Sequence, residues 1–194
     1  MTGPHVSRRI GALLRPDARC VERVEGRRRT WEGTIFSADV LTVGLPDGTR
    51  GRREVAVHHG GAGACVVADG QMCLVRQYRV AVGRMTLEIP AGKLDAGESP
   101  ALCAARELRE ETGLVARELE PIAVSAGSIG FTNETTHIFL AHGVTRGESS
   151  PDEGELLGVV WLPVREVVDA VRAGAIQDAK TIVSALTVLE RGLA

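Results

Sequence analysis

The alternation of hydrophobic and polar residues predicts a small β-rich lobe at the N-terminus. From Thr30 to about His59, short apolar-polar runs surround the turn signal Pro46-Asp47-Gly48-Thr49, a pattern typical of antiparallel strands. The step His58-His59-Gly60-Gly61 then interrupts the pattern. We therefore expect residues 1–58 to form a small antiparallel β lobe and residues 59–194 to form the main domain.

The remainder of the chain carries the patterns of both strands and helices. Two apolar runs, 63–67 and 72–77, flank Asp69-Gly70 and predict a buried hairpin. A helix is predicted from Ser99-Pro100 to Gly113, because proline favours the first helical position and glycine the position after the last. Further strands are predicted at 86–89, 122–125, 137–141 and 159–162, and further helices at 164–173 and 179–191. Strands wrapped by a few helices indicate an α/β domain.

Composition narrows the class of protein. The 194 residues, 44% of them hydrophobic, suffice for one core and a small accessory lobe. No apolar run approaches the roughly 18 residues that span a bilayer, so we expect a soluble cytoplasmic protein without a membrane partner. The cysteines stand singly, without CxxC pairs, and are interpreted as reduced core thiols: Cys20, Cys65, Cys73 and Cys103.

Charge is distributed unevenly along the chain. Residues 1–60 carry 11 Arg against 7 acidic residues (+4), and the remainder carries 12 Lys or Arg against 18 acidic residues (−6). A basic lobe beside an acidic one suits either an anionic small substrate or mutual docking of the lobes. Nucleic acid is not expected as a partner, because the arginines are dispersed and only 3% of residues are aromatic.

The predicted helix after Ser99 carries a row of acidic residues. Glu107 and Glu111 lie one turn apart with Glu110 about 60° away, whereas Leu102, Ala105 and Leu108 fall on the opposite side. We therefore expect an exposed stripe of three carboxylates. Such neighbours repel by about 0.2–0.5 kcal/mol per pair, so a divalent cation between them is one explanation. The other is a solvated helix with an i,i+4 pair between Arg106 and Glu110.

Oxygen ligands without Cys or His favour Mg²⁺ or Mn²⁺ over Zn²⁺. Such a cation neutralises a diphosphate and lowers the pKa of a bound water, which is the chemistry that hydrolysis of a phosphoanhydride requires.

The spacing of nine positions resembles the complete box of the Nudix family. Gly92 is followed after five residues by Glu98, and after seven more by Arg106-Glu107-Leu108, then Glu110-Glu111 and Gly113-Leu114. The resemblance implies a loop-helix-loop on an α/β/α sandwich, with Glu107, Glu110 and Glu111 as Mg²⁺ ligands. It also implies that Arg106 and Glu98 orient the helix and loop; with Glu110 they join the residues that we assign to catalysis.

Similarity beyond the box is to the ADP-ribose pyrophosphatase branch of this family. In that branch the backbone carbonyl before the box glycine, here that of Ala91, joins the metal shell. The resemblance implies hydrolysis of ADP-ribose to AMP and ribose 5-phosphate. Alternatives are another nucleoside diphosphate sugar such as GDP-mannose, or an ADP-ribose sensor that does not cut its ligand. The matching segments are 53–55, 59–62, 77–79, 87–92 and Asp178-Ala179-Lys180-Thr181.

A later loop, Ser128 to Glu134, resembles the branch's loop that supplies a glutamate acting on the attacking water. We assign that role to Glu134; an ordinary exposed carboxylate is the alternative. The branch has a proline where this chain has Ile129, a departure that keeps GDP-mannose among the candidate substrates.

Four residues are candidates for substrate binding. Arg53 and Arg79 suit phosphate or terminal-ribose contacts, with a surface charge or a pair with Glu88 as the alternative. Glu88 is placed in the same group. Trp31 is expected either to stack on adenine or to pack within its lobe. By resemblance, the N-terminal lobes of a homodimer are exchanged and help to build two composite sites.

Overall fold

The computed structural model describes residues 6–147 and 156–194. The chain divides into two compact units, Met1–Val57 and His58–Ala194. Residues 1–5 of the predicted lobe lie outside the described part. In the described part of the chain, no helix combines the length and apolar character needed to cross a membrane.

The first unit contains a short helix and a three-stranded sheet. The helix α1 spans Arg8–Leu13, and the strands β1 (Arg23–Glu32), β2 (Phe36–Gly44) and β3 (Arg50–His58) lie in that order, with β1 antiparallel to β2. The pattern missed α1 and most of β1, whose many arginines hide the alternation. An Arg29–Asp39 ion pair of 2.9 Å joins β1 to β2 instead of apolar contacts alone.

The second unit is built on a seven-stranded sheet. The strands of this unit are β4 Gly61–Ala68, β5 Gln71–Arg79, β6 Arg84–Glu88, β7 Ala91–Lys93, β8 Leu114–Val115, β9 Glu118–Ala126, β10 Thr135–His142, β11 Thr145–Arg146 and β12 Leu157–Pro163. The main order of the sheet is β12-β5-β4-β10-β9, with β6 paired to β5 and β7 paired to β4, while β8 and β11 form a separate ribbon. The strands β4 and β10 run parallel.

Helices cover both faces of this sheet. The helices are α2 Pro100–Thr112, α3 Val164–Arg172 and α4 Ala179–Glu190. Because side chains alternate along a strand, Ala64 and Val66 of β4 join the core cluster with α2, whereas Cys65 joins the cluster with α3 and α4. The predicted α/β/α sandwich and the N-terminal sheet are therefore confirmed.

Sequence signals placed several elements well. Ser99 caps α2 through a hydrogen bond from the Leu102 N–H, and Gly113 ends it with a φ of 70°.

The interpretation of the cysteines needs one correction. Cys65, Cys73 and Cys103 are buried free thiols, but Cys20 is exposed in the first unit and is no part of a core.

Candidate active site

Two glutamates of α2 are seated on the short strand β7. A Cβ atom at Gly92 would lie 2.0 Å from Oε1 of Glu107, so the carboxylate fills space that only glycine leaves open. Glu111 is 5% exposed, and its Oε2 accepts the backbone N–H of Ala91 at 3.0 Å. The Ala91-Gly92 segment and the acidic side of the helix are therefore fitted to each other.

The expected exposed stripe of carboxylates is wrong. The buried residues of α2 are Cys103, Ala104, Leu108 and Glu111, whereas Leu102 is 65% exposed and Ala105 is exposed. The side that packs on β4 carries small residues, because β4 presents Ala62 and Ala64 there and the helix lies close to it. Glu107 and Glu111 lie within this inward arc of the helix.

Arg106 gathers the acidic residues around the box. Its guanidinium donates to both oxygens of Glu98 (3.0 and 3.0 Å), to Glu107 (2.6 Å), to Glu110 (3.1 Å) and to the carbonyl of Lys93 (3.2 Å). The bonds to the three carboxylates raise the pKa of Arg106. The bonds that Glu98 accepts from Arg106 and from the Asp95 N–H hold the pKa of Glu98 at about 2. The i,i+4 pair with Glu110 is thus one contact of a larger network.

The donor set fits a hard divalent cation. Glu107, Glu110, Glu111 and the Ala91 carbonyl offer only oxygen, which Mg²⁺ and Mn²⁺ prefer. Because residue 92 is a glycine, the carboxylate of Glu107 has room beside it, and any side chain at position 92 would displace that carboxylate. Within residues 6–147 and 156–194, no three acidic, His or Cys side chains are already gathered as closely as a bound ion requires, and Arg106 supplies the positive charge beside Glu107 and Glu110.

Cys103 serves packing at this site. Its Sγ lies 3.7 Å from the Gly92 carbonyl and 3.5 Å from that of Lys93. Burial, with Glu98 and Glu107 nearby, raises the pKa of this thiol to about 12, so the protonated form is favoured at neutral pH.

The loop before β10 is tethered by the amide of Asn133. Its Oδ1 accepts the His58 N–H (2.8 Å) and its Nδ2 donates to the His58 carbonyl (3.2 Å). The side chain of Glu134 is half-exposed, with Oε1 3.8 Å from Nδ1 of His58. That nitrogen already accepts the Gly60 N–H at 2.9 Å, so this approach is not a hydrogen bond.

Strand register brings Glu134 to the same end of the sheet as β7. Thr136 of β10 pairs with Gly61 of β4, and Gly61 pairs with Lys93 of β7. Neighbouring strands lie about 4.8 Å apart, so the start of β10 and the end of β7 at Lys93 are roughly 10 Å apart. In the same loop Ile129 is 83% exposed and Phe131 is 59% exposed.

The sequence pattern does not reveal the tether between Asn133 and His58. In the sequence, His58 belongs only to the predicted domain boundary, and Asn133 only to the loop that resembles the branch. The signal that was present is an Asn directly before Glu134, since an amide offers both a donor and an acceptor to a passing backbone.

Arg79 and Glu88 are paired with each other. Two parallel hydrogen bonds of 2.8 Å join them, and Glu88, 4% exposed, also accepts from Thr86 and Lys180. Burial alone would raise the pKa of Glu88, but these donors outweigh it and hold the pKa at about 2. The paired alternative is therefore the arrangement in the structure.

The two candidates of the first unit make contacts within that unit. Arg53 donates through Nε to Glu22 at 3.0 Å. Trp31 packs against Phe36 with ring centroids 4.9 Å apart and remains half-exposed. The stacking role of Trp31 stays a prediction.

Comparison with known proteins gives a consistent picture. Residues 57–185 match the family model of the NUDIX domain. The chain is 35% identical over 163 residues to the ADP-ribose pyrophosphatase of Bacillus subtilis (strain 168), covering 82% of this chain and 88% of the relative. It is 40% identical over 162 residues to the ADP-ribose pyrophosphatase of Mycobacterium tuberculosis (strain ATCC 25618 / H37Rv), covering 80% and 77%.

A solved structure described as an ADP compounds hydrolase superposes with a TM-score of 0.75. It is 20% identical and covers 89% of this chain and 97% of its own, which shows a shared fold.

Proposed function

Because the chain belongs to the Nudix family of hydrolases, we propose that it splits the phosphoanhydride of ADP-ribose in a Mg²⁺-dependent reaction, releasing AMP and ribose 5-phosphate. The observation that carries the proposal is the seating of Glu107 over Gly92 and of Glu111 on Ala91. Two relatives that match over most of the chain and are named ADP-ribose pyrophosphatases support the choice of substrate.

Glu107, Glu110, Glu111 and the Ala91 carbonyl are the residues that would hold the cation. A divalent cation bound there supplies neutralisation of the diphosphate charge and a water of lowered pKa. Arg106 keeps the carboxylates of Glu107 and Glu110 together, and its bonds to Glu98 tie the helix to the preceding loop.

Glu134 acts on the attacking water in this proposal. Its carboxylate takes a proton from the water or orients it, while the water oxygen bonds to one phosphorus and the bridging P–O bond breaks. Its half-exposed position directly before β10 leaves it accessible to substrate. Arg79 presents the exposed edge of its guanidinium to a phosphate, since its bonds to Glu88 fix the plane of the group.

The proposed assembly is a homodimer with exchanged N-terminal lobes, in which Arg53 and Trp31 contact the substrate. In support, β1 is an edge strand that is exposed along nearly its whole length, and Val24 and Trp31 on it are exposed apolar residues. A lobe of this size is marginal alone. Sedimentation velocity at assay concentration tests the dimer, and a monomer with full activity would refute it.

Product release from ADP-ribose with Mg²⁺ tests the activity. Glu111→Gln removes a charge at the proposed ligand set and should lower kcat/KM by about a thousandfold or more, since such electrostatic terms are worth several kcal/mol. Glu118→Gln, an exposed glutamate of β9, serves as the control and should match the wild type. A wild type no faster than Glu111→Gln would favour a sensor.

A substrate panel tests the specificity. ADP-ribose should rank among the best by kcat/KM against GDP-mannose, NADH and diadenosine polyphosphates. A clear preference for GDP-mannose would replace the proposed substrate. The cytoplasmic location stays a prediction.

A further inference from the structure

The segment that begins α4 is bonded to the chain just after β6. Asp178 caps the helix: its Oδ2 accepts from the N–H (3.0 Å) and the hydroxyl (2.5 Å) of Thr181. The hydroxyl of Thr181, which is fully buried, in turn accepts the backbone N–H of Ile89 at 2.8 Å. The start of α4 thus supplies the hydrogen-bond acceptor that a buried backbone amide needs.

Lys180 anchors the preceding residue in the same way. Its Nζ donates to Glu88 at 2.7 Å and to Asp178 at 2.8 Å, and the Lys180 side chain is mostly buried. Two consecutive positions, Glu88 and Ile89, are therefore fixed to the first turn of one helix.

The chain from Glu88 to Gly92 crosses from one face of the sheet to the other. Ile89 belongs to the core cluster with α3 and α4, whereas Ala91 two residues later donates to Glu111 of α2. Pro90 between them has a fixed φ, and its carbonyl accepts the Ala64 N–H at 3.0 Å. A shift at Ile89 is transmitted to Ala91 and Gly92 because little backbone freedom lies between.

We propose that Asp178, Lys180 and Thr181 are positioning residues for the cation site. They hold the Glu88–Ile89 end of this passage so that Ala91 and Gly92 are in place against Glu111 and Glu107 before a cation binds. The inference rests on the proposed function, because it takes these residues to form a cation site. It gives a role to the Asp178-Ala179-Lys180-Thr181 segment that the reaction itself does not use.

The test is Thr181→Val, which keeps the shape of the side chain and removes the acceptor for the Ile89 N–H. Two properties are measured without nucleotide: amide exchange of Ile89 and Ala91 by NMR, and Mn²⁺ affinity by EPR. We expect exchange at both amides to accelerate and Mn²⁺ to bind about tenfold more weakly. Thr181→Ser retains the hydroxyl and should show wild-type amide exchange and wild-type Mn²⁺ affinity.

Ser184→Ala is the matched control. Ser184 is also fully buried on α4, but its hydroxyl donates to the Lys180 carbonyl within the helix. Its loss should lower the melting temperature and leave Ala91 exchange and Mn²⁺ affinity at wild-type values. The inference is overturned if Thr181→Val and Ser184→Ala agree within twofold in both properties.

A second pair of variants covers a failure of Thr181→Val to fold. Lys180→Gln should weaken Mn²⁺ binding, and Lys180→Arg, which can still bond to Glu88, should regain most of it; equal affinities would overturn the inference. If the variants rank in Mn²⁺ affinity as expected but the wild type leaves ADP-ribose intact, the proposed function alone is refuted. Hydrolysis of ADP-ribose with no such ranking refutes the inference alone.

Discussion

The two sides of the candidate active site are held in different ways. On the α2 side, Glu111 and the Glu107 seat are packed into the sheet, and the adjoining Glu88 is surrounded by donors. On the other side, the loop of Glu134 exposes Ile129 and is tethered through Asn133. The carboxylates assigned to the cation are therefore held by packing and hydrogen bonds within the sheet, whereas the carboxylate assigned to the water is half-exposed on a loop.

Gly92→Ala should break the packed side and have the largest effect. The new Cβ would overlap the Glu107 carboxylate, so Glu107 must move by an ångström or more. Displacements of that size cost about a hundredfold in rate, which we expect in kcat/KM for ADP-ribose. Gly130→Ala on the loop side is the control, because a Cβ there meets nothing within 4 Å. Similar rates for the two variants would show that the Gly92 seat is not needed.

Asn133→Ala should loosen the tethered side with a smaller effect. It removes two hydrogen bonds to the His58 backbone, and we expect kcat to fall about tenfold. Mn²⁺ affinity should not change, because the cation is assigned to the opposite side. Asn133→Asp retains the acceptor for the His58 N–H, so its kcat should fall between those of the wild type and Asn133→Ala. Weaker Mn²⁺ binding by Asn133→Ala would contradict the separation of the two sides.

Acid unfolding tests the packed side through Glu88 and should give the smallest effect of the three. The pKa of Glu88 lies at about 2, below its ordinary value of 4.5, so its stabilisation is complete above pH 4.5 and is lost as pH falls toward 2. Glu88→Gln should therefore show a smaller drop in melting temperature over this range, by a few degrees. Glu118→Gln should follow the wild type. Equal drops for Glu88→Gln and wild type would show that Glu88 is not the acid-sensitive group.

Local signals predicted the helix of the box and its ends, because Ser99, Pro100 and Gly113 act on their own neighbourhood. The inward face of that helix was not predictable in the same way. A helical wheel of the sequence places Leu102 on the buried face. In the structure the small residues of β4 pack against Cys103 and Ala104 instead, and Leu102 is exposed. The partner surface decides which face is buried, and one helix does not encode it.

Contacts between residues far apart in the chain were also not predictable from the sequence. Asn133 bonds to His58, 75 positions away, and Lys180 bonds to Glu88, 92 positions away. Charged residues are usually exposed, so nothing in the pattern marked Glu88 as buried. The box was recognisable because all of its nine positions fall within 23 consecutive residues, from Gly92 to Leu114.

The parallel pairing of β4 with β10 has a consequence for how much of the chain the chemistry needs. It joins Gly61 to Thr136, 75 positions later, and β4 also carries β7. Closing so long a loop costs chain entropy that only the completed core offsets. The nine-position motif grafted alone onto another scaffold would bring Gly92 and the glutamates of α2. It would bring neither Ala62 and Ala64 of β4, against which the helix packs, nor Glu134, so the smallest transferable unit is the whole sandwich.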